Sequence, residues 1–227
     1  MISPSHTFSE AALEAKKDYR SRAFINKEGA IKRELDKKFR YRRDYPLFMN
    51  IIWTHPESKN KWLFSIHILN KNQHKSPRVT YGIIFERHDG RYVLAPTFQN
   101  GPEMWILYPP HFFKRYRERI CGDENMSNLD VITRYFERNY VTGIDIGKGV
   151  TGYQACYGSN YPEQRDFTGK VDEGTVFGTF YKASQYKSIV VLKTIVRNDM
   201  LFEDQHEAHD WIEDEIRSFI AGLLTRK

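Results

Sequence analysis

The sequence predicts an α+β fold, with a mainly antiparallel sheet, helices packed on it and an N-terminal basic helical arm. Apolar residues at helical spacing mark the beginning, middle and end of the chain. Runs rich in β-branched and aromatic residues mark the region from Asn50 to Tyr108 and two later segments. Short turn signals between neighbouring runs favour antiparallel pairing. We therefore expect residues 1–46 to form the arm and residues 47–227 to form a single α+β domain.

The arm is predicted to contain two helices. Thr7 and Ser9 are both suitable N-caps for the first, over residues 8–23, which is rich in alanine. The second begins after Gly29, has apolar residues three or four positions apart, and stops before Pro46.

Strands are predicted wherever apolar runs are rich in β-branched and aromatic residues. Asp89-Gly90 is a hairpin signal between two of them, because this pair favours the positive φ angles of tight turns. The predicted strands are Trp62–Ile68, Val79–Glu86, Arg91–Leu94, Met104–Tyr108, Gly174–Tyr181 and Ser188–Val196.

Three further helices are predicted at Pro110–Ile120, Asn128–Asn139 and Asp204–Leu224, the last with one apolar face that would close the domain. From Tyr140 to about residue 172 the chain is rich in glycine, which favours irregular structure.

Charge is concentrated at the N-terminus. The chain has a net charge of +6, and residues 1–50 contribute +5 of it, with 12 Lys and Arg against 7 Asp and Glu. A local positive region attracts polyanions through phosphate contacts. Its two cysteines, Cys121 and Cys156, lack metal-ligand spacing, and no leader or apolar span is visible, so we expect a soluble cytoplasmic protein without a metal or cofactor.

One segment of the arm, residues 37–43, combines five positive charges with two aromatic residues, which suits phosphate contact together with base stacking. Phe39, within it, is expected to pack in the core. A charged helix face that serves only solubility is the alternative interpretation. The predicted nucleic-acid-binding residues are Lys37, Lys38, Arg40, Tyr41, Arg42 and Arg43.

A candidate catalytic stripe lies in the helix that follows Pro109-Pro110. His111, Arg115 and Arg119 are four residues apart and so share one side of that helix. Histidine transfers protons near neutral pH, and arginine binds phosphate oxygens in pairs. The alternative is structural: the arginines pair with carboxylates and the histidine packs or caps.

A second catalytic element is predicted in the apolar run Ile189–Val196. Lys193 interrupts this run, and an unpaired ammonium is too costly to bury, so it must reach the strand edge or a polar pocket. Thr194 points to the opposite face unless a bulge redirects one of the two. We expect Lys193 to bind phosphate, with Thr194 as a weaker candidate and a surface lysine as the alternative.

Across residues 105–202 the chain resembles toxin-type ribonuclease domains of the barnase, EndoU, colicin and RelE assemblage. The resemblance rests on His111-x3-Arg115-Tyr116-x-Glu118-Arg119, Gly174-x3-Gly178 and Val191-Leu192-Lys193-Thr194-Ile195. It implies metal-independent RNA cleavage, with His111 as general acid or base and the arginines and Lys193 stabilising the charged transition state. The chain departs from that family in its greater length and in lacking a clearly placed second histidine.

Other motifs are weaker. Gly147–Gly152 matches G-x-G-x-x-G but is not followed by an amphipathic helix. His206 and His209 are one residue too close for the H-E-x-x-H zinc motif, and a charged helix face explains them better. The sequence thus predicts a nucleic-acid-directed protein acting on RNA or another polyanion, with metal-independent ribonuclease activity as the finer hypothesis. The alternative is a non-catalytic binding or interaction protein of unknown partner, in which the helix is structural and the arm docks an anionic or protein partner. A protein partner or an inhibitor is the other class of partner that we consider.

Overall fold

The structure is a computed structural model of the whole chain. It describes residues 1–39, 42, 44–74, 76–97, 103–140, 143–145, 164–184, 187–201, 209–214 and 217. The fold is α+β with a mainly antiparallel sheet, as predicted. Contacts within the chain group it into two compact units, Met1–Ala95 and Pro96–Lys227.

The first unit contains two helices and a four-stranded antiparallel meander. Its strands lie in the order β1-β2-β3-β4. In chain order the elements are α1 (Phe8–Tyr19), α2 (Arg22–Phe39), β1 (Leu47–Thr54), β2 (Lys61–Ile68), a 3₁₀ turn (Lys71–His74), β3 (Arg78–Arg87) and β4 (Gly90–Thr97).

The second unit contains five strands in the order β5-β9-β8-β7-β6. Only the β5–β9 pair is parallel; the other described pairs are antiparallel. The elements are β5 (Glu103–Tyr108), α3 (Pro110–Tyr116), a π-helical turn (Arg117–Cys121), α4 (Asn128–Arg138), β6 (Gly143–Asp145), β7 (Gln164–Val171), β8 (Gly174–Ser184), β9 (Lys187–Val196) and a 3₁₀ turn (Asn198–Met200).

The two N-terminal helices pack on the first unit's meander. Phe24 of α2 is buried, and its ring lies 4.8 Å from the Trp62 ring and 5.2 Å from the Phe64 ring. Burying aromatic side chains of this size is a large favourable contribution to folding. Contacts therefore place residues 1–46 in one compact unit with the strands that follow, while the division at residue 46 stays a prediction.

The break between the two helices differs from the prediction. Helix α1 ends at Tyr19, and α2 then continues through Gly29, which was expected to precede the second helix. The reason is Ser21, whose hydroxyl accepts a hydrogen bond from the Phe24 N–H and so provides a new helix start. A glycine inside a helix costs only about 1 kcal/mol, which the buried face of α2 offsets.

Strand β7 corrects the prediction of irregular structure up to residue 172. Its residues pair with β8 along its whole length. Gly169 is needed here, because a Cβ atom would lie 3.1 Å from the Phe167 ring and 3.0 Å from a Val176 methyl group. Glycine in this strand therefore marks close packing rather than a loop.

Candidate functional site

Helix α3 displays His111 and Arg115 at its surface, while Phe112, Phe113 and Tyr116 are buried. The Arg115 guanidinium lies 3.1 Å from a carboxylate oxygen of Glu118, so this cation is already paired. His111 is exposed in the first turn, after Pro109 at the N-cap position.

The structure brings Arg119 and Thr194 together. Arg119 Nη1 donates hydrogen bonds to Thr194 Oγ1 at 2.9 Å and to the Ile195 carbonyl oxygen at 3.1 Å. Both acceptors belong to β9, so the guanidinium ties the π-helical turn to the strand. The sequence did not predict this contact between Arg119 and Thr194.

Lys193 is the extra residue of a β-bulge. Phe177 pairs with Thr194 and Gly178 pairs with Leu192, which leaves Lys193 without a partner residue on β8. A bulge of this kind reverses the alternation of side chains beyond it. Lys193 is exposed, and Thr194 Oγ1 accepts a hydrogen bond from Arg119, so a common site for Lys193 and Thr194 stays a prediction.

The candidate catalytic residues are spread along the helix. His111 precedes Arg119 by eight residues, which corresponds to about 12 Å along a helical axis. Arg119 marks the end next to Thr194, and His111 lies at the other end. The π-helical turn also changes the phase of Arg119, since its Gly122 N–H bonds to the Arg117 carbonyl five residues earlier.

A polar network lies beside the π-helical turn. The Tyr116 hydroxyl donates to Glu173 Oε2 at 2.5 Å, and the Asn139 amide donates to the same oxygen at 2.8 Å. The Glu173 N–H in turn donates to Asn139 Oδ1 at 3.0 Å. Burial, and next the hydrogen bond to Glu173, raise the pKa of Tyr116 far above its usual value, so the phenol is a proton donor at neutral pH.

Cys121 ends the π-helical turn as a half-buried free thiol. Burial raises the pKa of this thiol, although the nearby Arg134 guanidinium acts in the opposite direction. A thiol with a raised pKa is a poor nucleophile. The hydrogen bonds among Tyr116, Asn139 and Glu173 therefore serve to join α3, α4 and the β7–β8 turn.

Helix α2 of the first unit presents a positive face. Arg22, Arg33 and Lys37 are exposed, and helical geometry places them within about 60° of one another around the axis. We call these three residues the α2 stripe. Among the side chains that the structure describes, a set that does not include Asp36, none forms an ion pair with these three residues. Asn26 and Gly29 lie on the same side and carry no charge, and the acidic residue Asp36 lies about 60° from Arg33 around the axis.

The structure describes only part of the predicted nucleic-acid-binding segment. Lys37 and Arg42 are exposed. Lys38 turns back toward the sheet, where its ammonium donates to Met49 Sδ at 3.7 Å, and Phe39 is buried as expected. Arg40, Tyr41 and Arg43 lie outside the described residues, as do the glycine motif 147–152 and His206.

Charge divides sharply between the units. Residues 1–95 contain 19 Lys and Arg against 10 Asp and Glu, a net charge of +9, whereas residues 96–227 have a net charge of −3. The excess positive charge thus lies in the unit that carries the α2 stripe, and the unit that carries His111 is net negative.

Sequence reasoning missed a buried Ser-His-Asp cluster in the first unit. His55 Nε2 lies 2.8 Å from Ser21 Oγ, and His55 Nδ1 lies 3.9 Å from Asp18 Oδ1. These residues are 3 to 37 positions apart and share no local spacing, so no sequence signal could have found them.

The hydrogen bonds of this cluster are opposite to those of a catalytic triad. The N–H groups of Glu57 and Ser58 both donate to His55 Nδ1 at 3.3 Å, so the ring proton lies on Nε2 and is donated to Ser21. A catalytic base needs the reverse arrangement, in which Nε2 accepts the serine hydroxyl proton and the Nδ1–H donates to the aspartate. The cluster therefore joins the helices to the β1–β2 turn and does not activate a nucleophile.

No family model, curated protein or solved structure matches the chain. None of the described helices is long and apolar enough to span a membrane. Among the described residues, no group of three or more histidine, cysteine or acidic side chains could hold a metal ion.

Proposed function

We propose that this protein binds the phosphate backbone of nucleic acid, and that the α2 stripe is its contact surface. The observation that carries the proposal is three exposed cations on one helix face, in a unit of net charge +9. Such a surface gains affinity by releasing the counterions condensed on the polyanion.

The spacing of the stripe suits several phosphates. Arg33 and Lys37 are four residues apart, about 6 Å along the axis, and Arg22 lies about 16 Å from Arg33. The side of α2 opposite the stripe is fixed to the sheet by Phe24, Ile31 and Leu35, so the cations sit on a rigid support. Without base contacts, we expect binding with little preference for sequence.

The salt dependence of binding to a labelled single-stranded RNA tests this proposal. We expect log Kd to vary linearly with log salt concentration, and the triple variant Arg22→Gln, Arg33→Gln, Lys37→Gln to lower the slope by about 2, since each phosphate contact to a single strand contributes about 0.7. Fluorescence anisotropy across a sodium chloride series measures both.

A matched control removes the same charge elsewhere: Lys17→Gln, Lys61→Gln, Lys114→Gln, all exposed. This variant should keep the wild-type slope. Equal losses in the two triple variants would mean that only net charge matters, and a wild-type protein without affinity for RNA would refute the proposal.

Cleavage is the finer form of the proposal. It is supported by the exposure of His111. Arg115 pairs with Glu118 and Arg119 bonds to β9, and Lys193 is the one cation of the predicted set that contacts no polar group among the described residues. Binding is accordingly the function that we put forward. Incubating RNA with the protein in excess chelator decides the finer question: cleavage that His111→Ala abolishes would establish a ribonuclease.

A further inference from the structure

Helix α2 projects from the first unit as a ridge. The buried side chains that the structure describes in this helix lie within about 80° of one another around its axis. They belong to Phe24, Ile31, Leu35 and Phe39. Lys32 and Glu34, about 80° to either side of Phe24, are already exposed. More than half of the helix circumference therefore faces solvent, and the α2 stripe lies in the middle of that outer part.

Helix α1 leaves the outer part of α2 uncovered. At the start of α1, the Phe8 ring lies 5.8 Å from the Tyr92 ring of β4. Near the end of α2, by contrast, the Lys38 ammonium contacts Met49 of β1. These two strands are the first and last of the meander, three strand spacings or about 14 Å apart. The two helices therefore diverge, and Ile25 on the flank of α2 stays 60% exposed.

The dimensions of this ridge match one groove of a nucleic-acid duplex. An α-helix with its side chains is about 10–12 Å wide, and the major groove of B-form DNA is about 12 Å wide and about 8.5 Å deep. In A-form RNA the corresponding groove is deep and narrow, and side chains cannot read it. The shape of α2 therefore favours double-stranded DNA over double-stranded RNA.

The cations of the α2 stripe lie toward the two ends of the ridge. Arg22 is the first residue of α2, and Arg33 and Lys37 follow about 16 Å and about 22 Å along the axis. A groove about 12 Å wide fits between these ends, so the two ends can meet phosphates of opposite strands. Asn26 and Gly29 lie between them on the same side, and their small side chains leave room for the helix to approach the base edges.

The acidic residues of α2 are fewer than its cations and lie beside the stripe. The helix contains six Lys and Arg against three Asp and Glu, a net charge of +3. Glu28 is paired with Lys32 at 2.9 Å. Glu34 and Asp36 lie about 100° and about 60° from Arg33 around the axis. Positive charge thus dominates the side of α2 that would face the phosphates.

Building on the phosphate binding proposed for the α2 stripe, we infer that α2 lies in the major groove of double-stranded DNA. The two ends of the stripe hold the phosphates on either side of the groove, and the middle of the helix faces the base edges. Because most of these contacts are to phosphate, the protein selects the B-form duplex and has little preference for sequence.

Fluorescence anisotropy with three labelled probes of one length and one sequence tests this inference: double-stranded DNA, double-stranded RNA and single-stranded RNA. We expect the Kd for the DNA duplex to be at least about tenfold lower than for the RNA duplex, because only the DNA groove admits a helix. The triple variant Arg22→Gln, Arg33→Gln, Lys37→Gln should lower the salt slope on duplex DNA by about 2.7, since each phosphate contact to B-form DNA contributes about 0.9.

Ligands that fill one groove identify where the helix binds. Methyl green occupies the major groove of DNA and netropsin the minor groove, so we expect methyl green to displace the protein and netropsin to leave it bound. Asn26→Trp puts a large ring in the middle of the inserted face, and it should weaken binding to duplex DNA about tenfold without weakening binding to single-stranded RNA. The control Leu13→Trp changes a side chain of α1 that is 45% exposed and should leave both affinities unchanged.

The three probes separate failure of the major-groove site from failure of the proposed function. Stripe-dependent binding to single-stranded RNA with equal affinity for the two duplexes would overturn the major-groove site and leave phosphate binding in place. Displacement by netropsin instead of methyl green, or an Asn26→Trp variant that binds duplex DNA like the wild type, would do the same. A wild type that binds none of the probes would refute both.

Discussion

Gly178 is a residue whose identity the backbone dictates. It lies opposite the bulge at Lys193, and a Cβ atom there would be 2.4 Å from the Val191 carbonyl oxygen and 3.1 Å from the Leu192 Cα atom. Both neighbours are backbone atoms of β9 and cannot rotate away. Glycine is therefore part of the bulge, which in turn sets the positions of Lys193 and Thr194.

The two glycines at positions 178 and 29 should respond to alanine in opposite ways. Gly178→Ala is expected to lower the free energy of unfolding by about 1–3 kcal/mol, because the β8–β9 pair must separate to admit the methyl group. Gly29→Ala is expected to raise it by about 0.5–1 kcal/mol, since the nearest atom to the new Cβ is 3.9 Å away and alanine favours the helix. Urea denaturation measures both, and equal effects would contradict this account.

Asp18 organises the polar contacts of the first unit. Its Oδ2 atom accepts hydrogen bonds from Ser58 Oγ and Asn60 Nδ2, both at 2.8 Å, and from Trp62 Nε1 at 3.1 Å. Asn60 Oδ1 then accepts from the Ile2 N–H at 2.7 Å. One buried carboxylate thus connects α1, the β1–β2 turn and the start of the chain.

Two substitutions of Asp18 should show whether its acceptor oxygen or its negative charge stabilises the fold. Asp18→Ala leaves three donors without their acceptor and is expected to cost at least about 2 kcal/mol of stability, because each unsatisfied buried group costs about 1–3 kcal/mol. Asp18→Asn keeps one oxygen that can take the Oδ2 position, so its cost should be clearly smaller. Thermal and urea unfolding of the two variants provide the comparison; an asparagine variant as unstable as the alanine variant would show that the charge itself is required.

At the scale of elements, helix α3 shows which features the apolar spacing of the sequence can predict and which it cannot. Its apolar spacing correctly predicted a helix with Phe112, Phe113 and Tyr116 buried. The π-helical turn was not predictable, because it inserts one residue per turn without a sequence marker. The four-residue stripe of His111, Arg115 and Arg119 assumed an unbroken α-helix, and that assumption fails where Arg119 begins to contact β9.

The strands that were predicted are those with a clear local sequence pattern. The runs in β2, β3, β8 and β9 were recognisable because they are apolar and β-branched, and their bounds agree with the prediction to within a few residues. Strand β7 was not predicted, because Gly169 and its charged residues interrupt the apolar pattern that is typical of a strand. What makes it a strand is pairing with β8, and pairing depends on residues that single-segment patterns do not contain.

For the whole molecule, the charge pattern was partly visible in the sequence. The excess at residues 1–50 was evident, but the +9 and −3 division emerged only when contacts defined the two units. The Asp18 network was invisible for a related reason, because its members are distant in sequence. Composition shows that positive charge is concentrated near the N-terminus, and only the fold shows which of these cations share one face of α2.

Dividing the chain should divide its affinity for RNA. A fragment of residues 1–97 contains the α2 stripe and its own aromatic core, so it is expected to fold and to retain most of the binding. A fragment of residues 98–227, with its net negative charge, should bind weakly if at all. Anisotropy with both fragments and the full chain measures this, after circular dichroism has established that each fragment folds. Tight binding by the second fragment would move the interface away from α2.

The parallel pairing of β5 with β9 has a consequence for synthesis. Trp105 pairs with Ile189, which is 84 residues further along the chain, whereas the first unit pairs only strands that follow one another. Closing a long loop delays folding. During translation, the meander can therefore assemble as it leaves the ribosome, while β5 waits with an open edge until β9 has been made. Nascent chains that stall between these two strands would be the ones most dependent on chaperones.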